Sequence, residues 1–229
     1  MTTSLNELFN ISQNSKVLFI YPHPDDETFA NANLISLLVT KKIKTKIVCL
    51  TKGEASTLRF GIGDNDLVAA REIEFRHVME YLKVSNYEIL DLPDGKLELL
   101  SNLDKLVAQI IVGYNPTHVI TYEPDGIYGH PDHIALTKIV VSQKNISNYQ
   151  LIYSTVSQKY KSSKDALAMA KEPSKIKPMK ANTILYLSLI DYIHKLKAIR
   201  VYKSQFTMQS NLLQNLIKML LLRYEYYCV

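Results

Sequence analysis

The sequence predicts an open, doubly wound α/β fold: a mostly parallel, Rossmann-like sheet with a helical addition at its C-terminus. Short β-rich apolar runs alternate with longer segments of helical periodicity over the first 155 residues, and that alternation calls for parallel strands joined by right-handed crossovers. The chain has 229 residues, 47% hydrophobic and 21% charged, which suits a folded domain with a sizeable core. Two His/Asp-rich segments each follow a predicted strand, at the end where sheets of this kind bind ligands.

The first strand is read at 16–21 and leads into a helix over 26–40. A second strand covers 46–51. Over 64–83 a helix follows, with Leu67, Ala70, Ile73, Phe75, Val78 and Leu82 spaced to form one broad apolar face. A third strand covers 87–91, and a helix over 101–114 opens on Ser101 as its cap. A fourth strand at 117–122 precedes a helix over 131–143, with Pro131 in the first position, where a missing N–H costs nothing. A fifth strand spans 149–154. Beyond it lie a lysine-rich stretch, a strand-like run at 183–187, a helix opened by a Ser188/Asp191 capping box and running to 202, and a last apolar helix over 211–222. The expected organisation is one domain over 1–229, with an α/β core at 1–155 and a lysine-rich loop plus C-terminal helices at 156–229.

The net charge is +5, and seven lysines against two acids fall between Lys159 and Lys180. No aromatic-rich basic motif of a nucleic-acid module appears, so this run reads as a solvated loop and no nucleic-acid partner is expected. The first 16 residues show no basic start and no apolar stretch of a signal peptide. The apolar run near the end is interrupted by Lys218 and Arg223 and is too short for a transmembrane segment. Cys49 and Cys228 lack the spacing of a metal pair. A reducing, cytoplasmic setting is the expectation, and nothing separates a monomer from a homo-oligomer.

The chemistry is concentrated in Tyr21-Pro22-His23-Pro24-Asp25-Asp26-Glu27, after the first strand, and Tyr128-Gly129-His130-Pro131-Asp132-His133, after the fourth. A strand order of 3-2-1-4-5 makes strands one and four neighbours and brings these distant segments to one crevice, the switch point of the sheet. Imidazole and carboxylate are the ligands of a catalytic zinc, which uses three protein groups and keeps one position open. His23 and Asp26 can reach one ion from a loop entering a helix. His130 and His133 share a face of the first turn of the next helix, so that one can bind the metal while the other faces a substrate. Asp25 is left as a free carboxylate. Taken alone, the first segment could be a capped turn with solvated acids, and a lone His-x-x-His is weaker still. Together at two loops flanking a switch point they favour a metal. His77, His118 and His194 have no such partners, and Cys49 belongs to a buried strand.

These segments resemble the PIG-L/LmbE-like deacetylases of N-acetylglucosamine-containing substrates, with 122–134 especially close to the mycothiol-pathway branch. Weaker marks agree. Thr51-Lys52-Gly53-Glu54 resembles the T-x-G-E turn, Arg71 and Glu74 with Leu82 and Val84 the R-x-x-E…L-x-V helix, and Asp94 falls in a matching loop. Lys197-Ala198 with Tyr202-Lys203-Ser204-Gln205 resembles the K-x-x-A…Y-x-S-Q helix, with Ala one place early. The resemblance implies zinc at His23, Asp26 and His133, with iron(II) as an alternative native metal because two His and one carboxylate also suit it. It implies Asp25 as general base, His130 near the oxyanion and leaving amine, Tyr128 polarising the carbonyl, and Arg71 and Asp94 touching substrate. Ala30, Asn31, Ala32 and Asn33 stand where many relatives have glycines, which bears on the pocket wall. The expected activity is metal-dependent hydrolysis of the N-acetyl amide of an amino sugar, small molecule or glycoconjugate. An amidohydrolase of non-sugar amides and an inactive metal-binding protein are the alternatives.

Overall fold

The computed structural model describes residues 4–63, 66–158, 167–168, 170–206 and 222–229. Its elements in chain order are α1 (Leu5–Phe9), β1 (Lys16–Tyr21), α2 (Asp26–Thr40), β2 (Lys44–Thr51), α3 (Leu67–Tyr81), β3 (Tyr87–Leu92), α4 (Leu103–Tyr114), β4 (His118–Tyr122), the short α5 (Gly126–Gly129), α6 (Pro131–Gln143), β5 (Gln150–Thr155), β6 (Thr183–Tyr186), α7 (Leu189–Ile199) and β7 (Tyr224–Cys228). The sheet order is β3-β2-β1-β4-β5-β7-β6. The first five of these strands are parallel, and β7 joins β5 and β6 antiparallel. Strands β1 and β4 are neighbours, with Phe19 opposite Ile120.

The pleat sorts side chains to two faces. Val17, Phe19 and Tyr21 of β1 pack with Leu34, Leu38, Phe75 and Val78 of α2 and α3. Leu18 and Ile20 point the other way, against Val107 and Ile111 of α4 and Leu136 and Val140 of α6. With helices on both faces, the central strands are buried throughout, which is why they read as continuous apolar runs.

Several expectations change. The fourth helix begins at Leu103 with Asn102 as its cap position and no side-chain cap bond, so Ser101 sits in a turn instead. On α3, Ile73 is exposed, while Arg71 and Glu74 join Leu67, Phe75 and Val78 on the buried stripe. The Ser188/Asp191 capping box is present, but α7 stops at Ile199. The C-terminal addition is not only helical, because β6 and β7 extend the sheet. But for Leu222, the helix expected over 211–222 lies outside the described residues.

Of the residues after the first segment, Asn31, Ala32 and Asn33 are buried and Ala30 half-buried. Asn31 donates to the Tyr21 hydroxyl at 2.6 Å and accepts from Ser154 Oγ at 2.9 Å. The backbone N–H groups of Asn33 and Leu34 donate to buried Glu225 at 2.9 and 3.0 Å. Glu225 also takes Lys195 Nζ at 2.7 Å. Lys195, three before buried Ala198, is buried, whereas Lys197, which carried the family resemblance, is exposed.

Candidate active site

The chain leaves β1 through Pro22, whose carbonyl accepts from both Thr51 N and Thr51 Oγ1 at 2.9 Å. Asp25 then occupies the cap position of α2 with φ 106° and ψ −31°. A positive φ is unfavourable for a residue with a Cβ and is typical of functional loops. Asp26 opens the helix. On the neighbouring strand the chain passes Tyr122 and the 126–129 turn and reaches His130, which caps α6 by accepting Asp132 N–H at Nδ1 over 3.2 Å, with Pro131 in the first position.

His23 Nδ1, Asp26 Oδ2 and His133 Nε2 form a triangle with sides of 3.4, 3.5 and 3.2 Å. Ligand atoms about 2.0–2.2 Å from a tetrahedral ion lie about 3.3–3.5 Å from one another, so the triangle fits one ion. The outer nitrogens support the same reading. His23 Nε2 faces Asp94 Oδ1 at 2.9 Å and Asp132 Oδ2 at 3.4 Å. His133 Nδ1 faces the Gly126 carbonyl at 3.2 Å. With each outer nitrogen facing oxygen as a donor, the inner nitrogen is the one that can offer a lone pair to an ion, the usual arrangement around a metal-bound histidine. The Tyr122 hydroxyl donates to Asp26 Oδ1 at 3.1 Å, and its ring stacks on His133 at 4.5 Å.

Burial opposes a charged His23 ring, but Asp132, Asp26 and Asp94 outweigh it and hold its pKa well above the ordinary value. A cation arriving at Nδ1 displaces a proton there, so affinity falls as pH falls. Burial raises Asp26 too, yet His133 and His23 pull it below the usual carboxylate range. His133 is lowered by burial to about 3 and is neutral, as a ligand requires. Burial pushes Asp25 up to about 8 against the downward pull of Arg71. Burial, followed by the His23 charge, lowers His130.

Asp25 keeps 18% of its side chain exposed, against 9% for Asp26 and 0% for Asp132, so it is the carboxylate open to a small molecule. A ring nitrogen of His130 lies within 4.8 Å of those of His23 and His133. The Tyr128 ring stands 5.9 Å from His130 and 5.4 Å from His133. The structure thus gathers His23, Asp25, Asp26, Tyr128, His130 and His133. Arg71 and Asp94 are also there, but facing protein groups: Arg71 reaches Asp25, and Asp94 joins His23 and Ala55 N.

Asp132 turns its carboxylate to His23 at 3.4 Å and to the backbone N–H groups of Gly95 and Leu97 at 2.7 and 2.9 Å. The sequence reading missed Tyr122; its place at the end of β4, just before the second segment, was the available signal. His77 and His194 are exposed, His118 pairs with Thr117, and Cys49 is in the core. The lysine-rich segment is described from 170 to 180. There Lys177 N donates to Asp125 and Met179 N to Glu123, laying the strand of chain over the 126–129 turn. A cleft of about 720 Å³ adjoins that turn, between Leu97, Pro131, Ile134, Lys138 and Ile176.

The sequence profile described as PIG-L: GlcNAc-PI de-N-acetylase matches residues 18–144, more than half of the chain and both His/Asp-rich segments. The chain belongs to this family. Among PIG-L relatives, the probable N-acetyl-alpha-D-glucosaminyl L-malate deacetylase 2 of Bacillus anthracis is 30% identical over 130 residues, covering 54% of this chain and 57% of that protein. The 1D-myo-inositol 2-acetamido-2-deoxy-alpha-D-glucopyranoside deacetylase of a Mycobacterium species (strain JLS) is 26% identical over 183 residues, covering 69% and 59%. The chain therefore spans less than two thirds of the length of these two relatives. The N,N'-diacetylchitobiose deacetylase of Pyrococcus horikoshii superimposes with a TM-score of 0.71 over 98% of this chain and 86% of that one, at 24% identity, which speaks to the fold. No helix among the described residues is long and apolar enough to cross a membrane.

Proposed function

We propose that this protein hydrolyses the N-acetyl amide of an N-acetylglucosamine-type amino sugar, releasing acetate and the free amine, with a divalent ion held by His23 Nδ1, Asp26 Oδ2 and His133 Nε2. The observation that carries the reading is the triangle of His23 Nδ1, Asp26 Oδ2 and His133 Nε2, beside the part-exposed carboxylate of Asp25. Membership of a de-N-acetylase family and relatives named for N-acetylglucosaminyl substrates support the choice of amide.

An ion in the triangle supplies Lewis acidity, lowering the pKa of water towards about 7 and polarising the acyl oxygen. Asp25 takes the proton of the attacking water, a general-base contribution of about 10²–10⁴-fold. Tyr128 donates a hydrogen bond to the developing oxyanion. The neutral His130 ring has Nδ1 occupied as an acceptor, so its N–H is on Nε2, where it donates a hydrogen bond to the reacting amide, and the proton that Asp25 takes from water passes to the departing nitrogen. The C–N bond breaks, and water's oxygen leaves in acetate. Zinc is the proposed ion. The donor set also accommodates iron(II), and anaerobic reconstitution with each ion decides between them.

The test is acetate release from a panel of N-acetylglucosaminides with inositol, malate, sugar and phosphatidylinositol aglycones, run beside N-acetyl amides that lack a sugar. Release from at least one glucosaminide, abolished by a chelator and restored by metal, is expected. Turnover confined to the non-sugar amides would make the protein a different amidohydrolase. Full metal occupancy with no release from any member would make it a binding protein.

A further inference from the structure

The family resemblance assigns Arg71 to the substrate, whereas the structure buries it. Its side chain is 4% exposed. Nη1 donates to the Gly53 carbonyl at 3.1 Å, and Nη2 donates to the Pro24 carbonyl and to Asp25 Oδ2, the latter at 3.2 Å. Nε is buried with no partner among the described residues. Gly53 makes this packing feasible, because a Cβ there would lie 2.4 Å from the guanidinium carbon, and its φ of +71° already favours glycine.

What the guanidinium grips is the strained stretch Pro24–Asp25. Asp25 N–H is held from the other side by Glu27 Oε2 at 3.1 Å. Glu27 Oε1 in turn accepts from Tyr202 at 2.7 Å and from Thr28 at 2.6 Å. One turn further along α3, Glu74 takes both the N–H and the hydroxyl of Ser204, at 2.8 and 2.6 Å. The glycine turn, the Arg71/Glu74 stripe and the Tyr202–Ser204 turn therefore close into one clamp around the residue proposed as base. A positive φ persists only where the surroundings over-determine it, and these contacts supply that constraint.

We propose that Arg71 is the positioning residue of Asp25, holding its carboxylate and the backbone before it in place, and that it affects turnover through Asp25 alone. This rests on the reading of Asp25 as general base, and a double-mutant cycle separates the two claims. Wild type, Arg71→Lys, Asp25→Asn and the double variant are assayed for kcat and KM on the responsive glucosaminide, with metal content measured on each. Asp25→Asn should retain metal and lose about 10²-fold or more in kcat; full activity in that variant would refute the general-base reading itself. Arg71→Lys should lose about 10-fold in kcat with KM within about twofold, since small misplacement of a reacting group is costly. In the Asp25→Asn background it should change nothing further. A raised KM at unchanged kcat would make Arg71 a substrate contact. The same fold loss in both backgrounds would show that it acts independently of Asp25. Either result overturns the proposal. If Arg71→Lys does not fold, Gly53→Ala displaces the same guanidinium with Arg71 intact, and the same cycle with Asp25→Asn applies.

Discussion

At the scale of single side chains, what turns two imidazoles into one site is which nitrogen each presents. His23 is read from its outer side by two carboxylates and His133 by a peptide carbonyl, so Nδ1 of the first and Nε2 of the second meet beside Asp26. His130 shares the neighbourhood but has Nδ1 engaged by the α6 backbone. The two histidines of His-x-x-His are therefore expected to separate cleanly on mutation. His133→Ala should bind metal about 10²-fold or more weakly, beyond the roughly 10–100-fold typical of losing an outer-shell partner. His130→Ala should keep its metal and lose about 10²-fold in kcat. Metal analysis and steady-state kinetics on both variants check this; a His130→Ala protein without metal beside a metal-replete His133→Ala protein would mean the roles are exchanged.

At the scale of elements, the site depends on two loops being held at strand ends by chain that comes much later in sequence. The 170–180 segment lies against the turn before α6 so closely that a Cβ on Gly129 would sit 2.7 Å from Ile176 Cδ1 and 2.8 Å from Ala170 Cβ, at a φ of +83°. Gly129→Ala should destabilise the protein by about 1–3 kcal/mol, combining backbone strain with overpacking, and should raise amide hydrogen exchange in 170–180 before the sheet is affected. Unchanged exchange and an unchanged urea midpoint would show that the segment is not braced there. Helix α3 shows the limit of periodicity at this scale. Its 3.6-residue stripe predicts which positions turn inward, and Arg71 and Glu74 occupy inward positions because each finds a buried partner. Apolar Ile73, one step off the stripe, is left outside.

At the scale of the whole molecule, pH couples to stability through buried acids. Glu123 is fully buried at the end of β4. It accepts from Thr155 Oγ1 at 2.9 Å and from Met179 N, and its other oxygen has no partner among the described residues. Burial raises its carboxyl from 4.5 to about 7, with Asp125 adding to the rise and the hydrogen bonds opposing it. Below 4.5 the group is protonated in folded and unfolded chains alike. Between 4.5 and about 7 the folded chain keeps a proton that the unfolded chain has released, so the contribution of this group to stability is lost as pH rises through that window. Glu123→Gln removes this dependence while keeping an acceptor for Met179 and Thr155. The difference in Tm between variant and wild type should move in favour of the variant from pH 5 to pH 8; a difference that stays constant with pH would remove Glu123 as the cause.

By itself, the sequence determined the alternation of strands and helices, the neighbouring places of β1 and β4 and the loops that carry His23, Asp25, Asp26, His130 and His133. Those properties follow from local periodicity, turn chemistry and the handedness of crossovers, all readable within a few residues. Strand β7 was not legible, although five residues rich in tyrosine carried a β-propensity signal, because its pairing with β5 and β6 is set by partners at 153–155 and 183–186. Nor could the sequence show that Asp132 and Asp94 turn to His23, that Glu225 reaches the middle of α2, or that Arg71 bonds Asp25. Only the tertiary structure decided these. A residue's type and spacing limit what it can bond, but the direction of a long side chain is chosen by whichever partner the folded chain brings within about 3 Å of it.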